Sequence, residues 1–340
     1  MAPLRWSLIP LAAAVATASC RPEWRDRLAL EGNIDRPGEP SLHYRLLGNG
    51  PDTLVVLHGG PGLHMRYLLE PLAPLADEHT LIFYDLRGRG ESGDVGDSTR
   101  MTVDLDIEDL GAVRDHFKLG KLELIGHHWG AAVAALYATR HPDQVERMVL
   151  VSPYAVHYTF LTEFTFVKGD TVLWKEALNH VATAKTPEEA IQFCQKYWPT
   201  YFSPLPPHVA TPYARLAGSI CDTRGERLLE FERTRRWVTR GVGPHPWREA
   251  LNRTPVPTLV IEGDGDSTVT LAAERWAQHL PEARLLMLRE PYLFPWIGQP
   301  NRFVRSVDEF LGRKWPEGAI KPPPFVPGPM PKESAGPGPS

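Results

Sequence analysis

The sequence predicts an α/β fold, a mostly parallel and doubly wound sheet with an inserted helical cap. Three observations carry that expectation. Short continuous apolar runs at residues 53–57 and 81–84 suit strands covered on both faces, as parallel strands are. Such runs alternate with helical patterns in both halves of the chain. Between those halves, residues 154–250 break the alternation with helical charge patterning and many aromatics, among them Phe160, Phe164, Trp174, Trp198 and Trp237. The 340 residues, 42% hydrophobic and 23% charged, suffice for one large core and a smaller insert.

In chain order, strand-like stretches at residues 27–32 and 42–46 flank the turn-forming Asp35-Arg36-Pro37-Gly38. The run 53–57 ends in His58-Gly59-Gly60-Pro61-Gly62, and the run 81–84 in Asp85-Leu86-Arg87-Gly88-Arg89-Gly90-Glu91-Ser92. A helical pattern over 103–117 leads to an apolar strand containing Leu122, Leu124 and Ile125. That strand runs into Gly126-His127-His128-Trp129-Gly130 and then an alanine-rich helix from Ala131. Strands at 149–151 and 258–261, a helix at 272–280, a strand at 284–288 and a helix at 301–311 complete the pattern. The core thus comprises residues 27–153 and 251–313, with the cap, 154–250, between them.

The ends read differently. Arg5, an apolar run beginning at Trp6, and the small residues before Cys20 have the pattern of a secretory signal, so residues 1–20 are set apart from the fold. Cys20 directly after Ala18-Ser19 also resembles a bacterial lipobox, whose cysteine is lipidated, with Thr17 where leucine is usual. An ordinary cleaved signal with an incidental cysteine is the alternative. Either way the protein is expected in the periplasm or cell envelope, meeting a membrane only through that N-terminal anchor. Cys194 and Cys221 remain; a disulfide would fit them, and two buried thiols nearly as well. Residues 314–340, rich in proline and glycine, are expected to be a disordered tail. A net charge of −4 with no basic block gives no reason to expect nucleic acid.

The glycine-flanked turn at 126–130 has the strand–turn–helix context of a nucleophile elbow, G-x-S-x-G, in which the central side chain stands above the sheet. Here that side chain is His128. Together the motifs resemble the α/β-hydrolase superfamily, and within it the proline iminopeptidase-like group, over about residues 42–311. His58 to Gly62 matches the group's H-G-G-P-G oxyanion loop, and Asp85 to Ser92 its D-x-R-G-x-G-x-S segment. Gly126 to Gly130 matches G-x-S-W-G except at the third position. The resemblance implies an α/β-hydrolase fold with a triad acid at Asp266, in Gly263-Asp264-Gly265-Asp266, for which an ordinary turn is the competing reading. It also implies a base ahead of Gln299-Pro300, and the matching Phe294-Pro295-Trp296 puts Leu293 at that position. Two of three triad members are therefore replaced within intact flanks.

Leucine neither accepts nor donates a proton, so Leu293 removes general-base catalysis. The backbone of Gly59, Gly60 and Trp129 is the candidate oxyanion hole. A triad spans ~8 Å from hydroxyl to carboxylate, and an imidazole at the elbow covers only ~3–4 Å of it. His128 could thus reach Asp266 only through a bridging water, which would make a working hydrolase of small amides or esters. A metal held by His127, His128, Asp266 and His58 is disfavoured, since His127 is expected to point away from the pocket and His58 to stabilise its own loop. Neither metal nor cofactor is expected. The cap glutamates, from Glu163 to Glu232, match no motif for binding a substrate amino group. Two functions follow: a degenerate hydrolase binding a small ligand or partner between core and cap, or the His128–Asp266 hydrolase.

Overall fold

A computed structural model describes residues 23–154, 171–197, 210–221, 227–242, 247–264, 267–289 and 293–323. The strands β1 (Leu28–Arg36) and β2 (Glu39–Leu47) form an antiparallel hairpin around Gly38, whose φ of 76° suits a residue without Cβ. They are followed by β3 (Asp52–Leu57), β4 (His79–Tyr84), β5 (Leu122–His127), β6 (Val145–Val151), β7 (Thr258–Gly263) and β8 (Ala283–Leu288). The eight make one sheet in the order β1-β2-β4-β3-β5-β6-β7-β8, antiparallel as far as β2–β4 and parallel from there on.

A parallel sheet must be covered on both faces, and the strand alternation does this. On β3, Leu54 and Val56 point into one buried cluster while Val55 and Leu57 point into the other. The helix α1 (Arg66–Leu72), absent from the sequence expectation, packs into the first cluster. The second is closed by α2 (Val103–His116) and α3 (Trp129–Arg140). Thr102 caps α2, its hydroxyl accepting the Leu105 N–H at 3.2 Å. The small, fully buried side chains of Ala131 to Ala135 let α3 lie close against the sheet.

Between β6 and β7 come α4 (Thr171–Thr183), α5 (Pro187–Tyr197), α6 (Ala210–Ile220), α7 (Arg227–Val242) and α8 (Trp247–Leu251). Cys194 on α5 and Cys221 at the end of α6 are joined as a disulfide, settling the pair that the sequence left open. His64 Nε2 donates to the Ile220 carbonyl at 3.0 Å, which pins α6 to the loop after β3. The remaining helices are α9 (Ser267–His279) and α10 (Pro300–Leu311).

The tail expectation needs a correction. Residues 314–323 are ordered: Ile320 forms an antiparallel bridge with Leu285, and the Arg284 guanidinium lies 4.6 Å over the Trp315 ring. Trp315 and Ala319 supply the apolar contacts that a composition averaged over the whole segment conceals. Residues 324–340, like the signal and lipobox residues 1–20, lie outside those described. Among the described residues no helix is long and apolar enough to cross a membrane.

Candidate functional site

The elbow is built by steric necessity. A Cβ on Gly126 would lie 2.5 Å from Ala131 Cα, and one on Gly130 would lie 2.4 Å from the Leu57 carbonyl oxygen. Only glycine at both ends lets strand and helix meet this closely. The apex residue, His128, has φ 50° and ψ −107°, a conformation that costs a side-chain-bearing residue ~1–3 kcal/mol. Its backbone is held on both sides: its N–H donates to Val151 O at 2.9 Å, and its carbonyl accepts from Tyr154 N–H at 3.0 Å. The imidazole is buried edge-on against the Tyr154 ring, centroids 4.9 Å apart. Burial, aided by the neighbouring His127, holds its pKa well below the ordinary histidine value, so the ring is neutral at neutral pH.

His127 does not point away from this region, as expected, but turns across it. Its Nε2 lies 2.6 Å from the Leu293 carbonyl and its Nδ1 2.6 Å from the Tyr67 hydroxyl, which is itself 2.7 Å from the Gly59 amide. The directions are forced. A carbonyl only accepts, so Nε2 carries the proton; Nδ1 must then accept from Tyr67, leaving the tyrosine oxygen to accept the Gly59 N–H. Burial lowers the His127 pKa to about 4 and raises that of Tyr67. The chain of bonds therefore joins the oxyanion loop, α1, the end of β5 and the Leu293 loop.

Two expectations change as a result. The Gly59 amide is engaged by Tyr67 and is not an oxyanion donor. The Gly60 and Trp129 amides make no hydrogen bond among the described residues and remain the candidate donors. Leu293, half-buried against the first cluster, contributes to the site only its carbonyl. Phe294 and Trp296 beside it are core residues, the latter stacked on Tyr67 with centroids 6.5 Å apart. Asp266 lies outside the described residues, but the strand leading to it is anchored. Glu262, fully buried, accepts from Ser152 Oγ at 2.8 Å and from Gly263 N–H at 2.9 Å.

The Asp85–Ser92 segment proves to be a frame. Asp85 accepts the Met65 and Glu91 amides at 2.7 and 2.9 Å. Arg89 donates to the Pro61 carbonyl at 3.0 Å and makes a two-pronged pair with Asp106 at 2.6 and 3.0 Å. Burial pushes the Asp106 pKa up against the opposing pull of Arg89. The Trp129 indole N–H reaches the same carboxylate at 2.9 Å, so one buried ion pair fixes oxyanion loop and elbow together.

Metal ligation finds little to work with. His58 is buried with both nitrogens engaged, Nδ1–H to the Gly59 carbonyl at 3.0 Å and Nε2 from the Leu86 amide at 3.0 Å. Both His127 nitrogens are also taken. Elsewhere Glu31, His43 and Glu91 converge within 4.8 Å, but the Arg45 guanidinium already bridges both carboxylates at 3.0 and 3.2 Å. Tyr67, Tyr154 and the Ser152–Glu262 pair lie in no motif and had no signal at the level of sequence.

Residues 52–292 match the family model of the alpha/beta hydrolase fold. The proline iminopeptidase of Heyndrickxia coagulans is 36% identical over 124 residues, 36% of this chain and 43% of that relative's length. The proline iminopeptidase of Lactobacillus crispatus is 34% identical over 309 residues, 84% of this chain and 97% of the relative. Among solved structures, a proline iminopeptidase-related protein from Thermus thermophilus matches with TM-score 0.60 and 25% identity, over 83% of this chain and 97% of the other. The chain belongs to the alpha/beta hydrolase fold family, in its proline iminopeptidase-like group.

Proposed function

We propose that this protein is a degenerate hydrolase, exported and anchored through Cys20, whose cleft between core and cap holds a small ligand or partner without hydrolysing it. The observation that carries this reading is the elbow apex. His128 is buried against Tyr154 where the attacking hydroxyl would stand, and the base position offers a leucine. The engaged Gly59 amide supports it further. Export is supported by the Cys194–Cys221 disulfide, since such bonds persist in oxidising compartments. The neutral His128 ring is what favours the other reading, a water activated by His128 and Asp266.

Turnover separates the two. Purified protein incubated with amino-acid amides and small esters is expected to match His128→Ala at background; turnover abolished by His128→Ala overturns the degenerate reading in favour of the second. Restoration makes a sharper demand. Fluorophosphonate should leave the wild type unlabelled and label His128→Ser/Leu293→His slowly. Adding His127→Gly should speed labelling at least about tenfold, because a fixed Leu293 carbonyl holds the new base away from its near-attack geometry. Equal labelling of double and triple variants would show that His127 does not constrain the loop.

A further inference from the structure

We infer that β1 pairs with β1 of a second copy of this chain, antiparallel and centred on Gly32, joining two eight-stranded sheets edge to edge. The two edges of the sheet differ. Beyond β8, Ile320 donates to the Leu285 carbonyl at 2.9 Å and accepts from the Leu285 amide at 2.8 Å, so that edge is met by the chain itself. Among the described residues nothing pairs with the outer side of β1. A bare row of backbone donors and acceptors is a template for another strand.

The hydrogen bonds of β2 fix which groups of β1 are bare. His43 N–H donates to Ser92 Oγ at 3.0 Å, and its carbonyl accepts from Asp85 N–H at 2.9 Å, so the His43 backbone faces away from β1. Backbone groups alternate in direction along a strand, and those of Leu42, Tyr44 and Leu46 therefore face β1. Their register partners Ile34, Gly32 and Leu30 spend their amides and carbonyls on them. Glu31 and Asn33, lying between, point theirs outward. Both residues are exposed, and Leu30 beside them is a large hydrophobic with 51% of its surface accessible.

Regularity and charge select the occupant and its register. The unbroken pairing of β1 runs from Leu30 to Ile34, with a register shift at each end, so its midpoint is Gly32. A two-fold axis there sets Leu30 opposite Ile34 of the partner subunit and Glu31 opposite Asn33 of the partner subunit, the latter pair exchanging two backbone bonds. Moving the midpoint one residue back sets Glu31 opposite its own copy. Moving it one residue forward sets Glu31 opposite Asp35 of the partner subunit. Like charges facing each other across strands repel, and larger moves run the regular stretch past a register shift. The strand is thus complementary to itself about one residue, which is what a second copy requires.

Opposite charges placed at residue 33 test this. Asn33→Lys and Asn33→Glu both forfeit the contact of Asn33 Oδ1 with His43 Nδ1 at 3.2 Å, so any loss from that source is common to them. Each change acts twice across the axis, facing Glu31 of the partner subunit with a cation in one case and a carboxylate in the other. Sedimentation equilibrium of the full-length protein at low salt should show a monomer–dimer equilibrium, tightened about fivefold by Asn33→Lys and weakened about fivefold or more by Asn33→Glu. Residue-resolved amide exchange gives a second reading. The Glu31 and Asn33 amides should gain protection as protein concentration rises, while those of Leu30, Gly32 and Ile34 stay protected throughout. A protein that remains monomeric into the high micromolar range overturns the inference, as does a dimer to which both variants respond alike. Protection of the Glu31 and Asn33 amides in dilute monomer overturns it too, because another segment of the same chain would then cover the edge.

Discussion

His127 sits between two groups that dictate its tautomer, and burial keeps it uncharged, with a pKa of about 4. The unfolded chain, titrating near 6.5, binds the proton that the folded state refuses, so this histidine's stabilising effect is complete above pH 6.5 and declines as pH falls toward 4. The loss across that window is about 3 kcal/mol, and the lowered values of His58 and His128 act in the same direction. Urea midpoints taken across mildly acidic pH should therefore fall steeply for the wild type and less steeply for His127→Gln; parallel curves would contradict the assignment. Position 128 was legible in the sequence as the apex of the turn because glycines flank it. The direction of His127 was not, since its partners lie 60 and 166 residues away and belong to no motif.

At the level of elements, β5, the elbow and α3 act as one unit seated on the end of β3. Gly130→Ala would force α3 off the strand, because its Cβ would meet the backbone oxygens of Leu57 and His58 at 2.4 and 2.6 Å. A loss above about 3 kcal/mol is expected in urea unfolding. Gly111→Ala, in the middle of α2, has only Tyr137 Cε2 at 3.8 Å and should instead stabilise by roughly 0.5–1 kcal/mol. The apolar runs revealed the central strands because a doubly covered strand has no polar face to disguise it. Helix α1 escaped notice because Pro71 reads as a breaker, although it lies in the last turn beside Leu72.

For the molecule as a whole, the connection of cap to core matters most. The disulfide closes a loop of 27 residues, and His64 carries the constraint on from Ile220 to the loop after β3. Loop-closure entropy assigns the cross-link about 3.5 kcal/mol, so reductant or Cys194→Ala/Cys221→Ala should lower stability by that order, read from urea unfolding with and without reductant. Cysteine spacing alone could not decide the pairing, and composition misjudged residues 314–323, which pack on β8. The bond chain from Gly59 to Leu293 has a historical implication as well. Each of its groups is satisfied only while the others stay in place, so removing the Tyr67 hydroxyl or the His127 ring strands a buried polar partner. In any lineage that keeps this chain, Tyr67 and His127 are therefore expected to change together rather than one at a time.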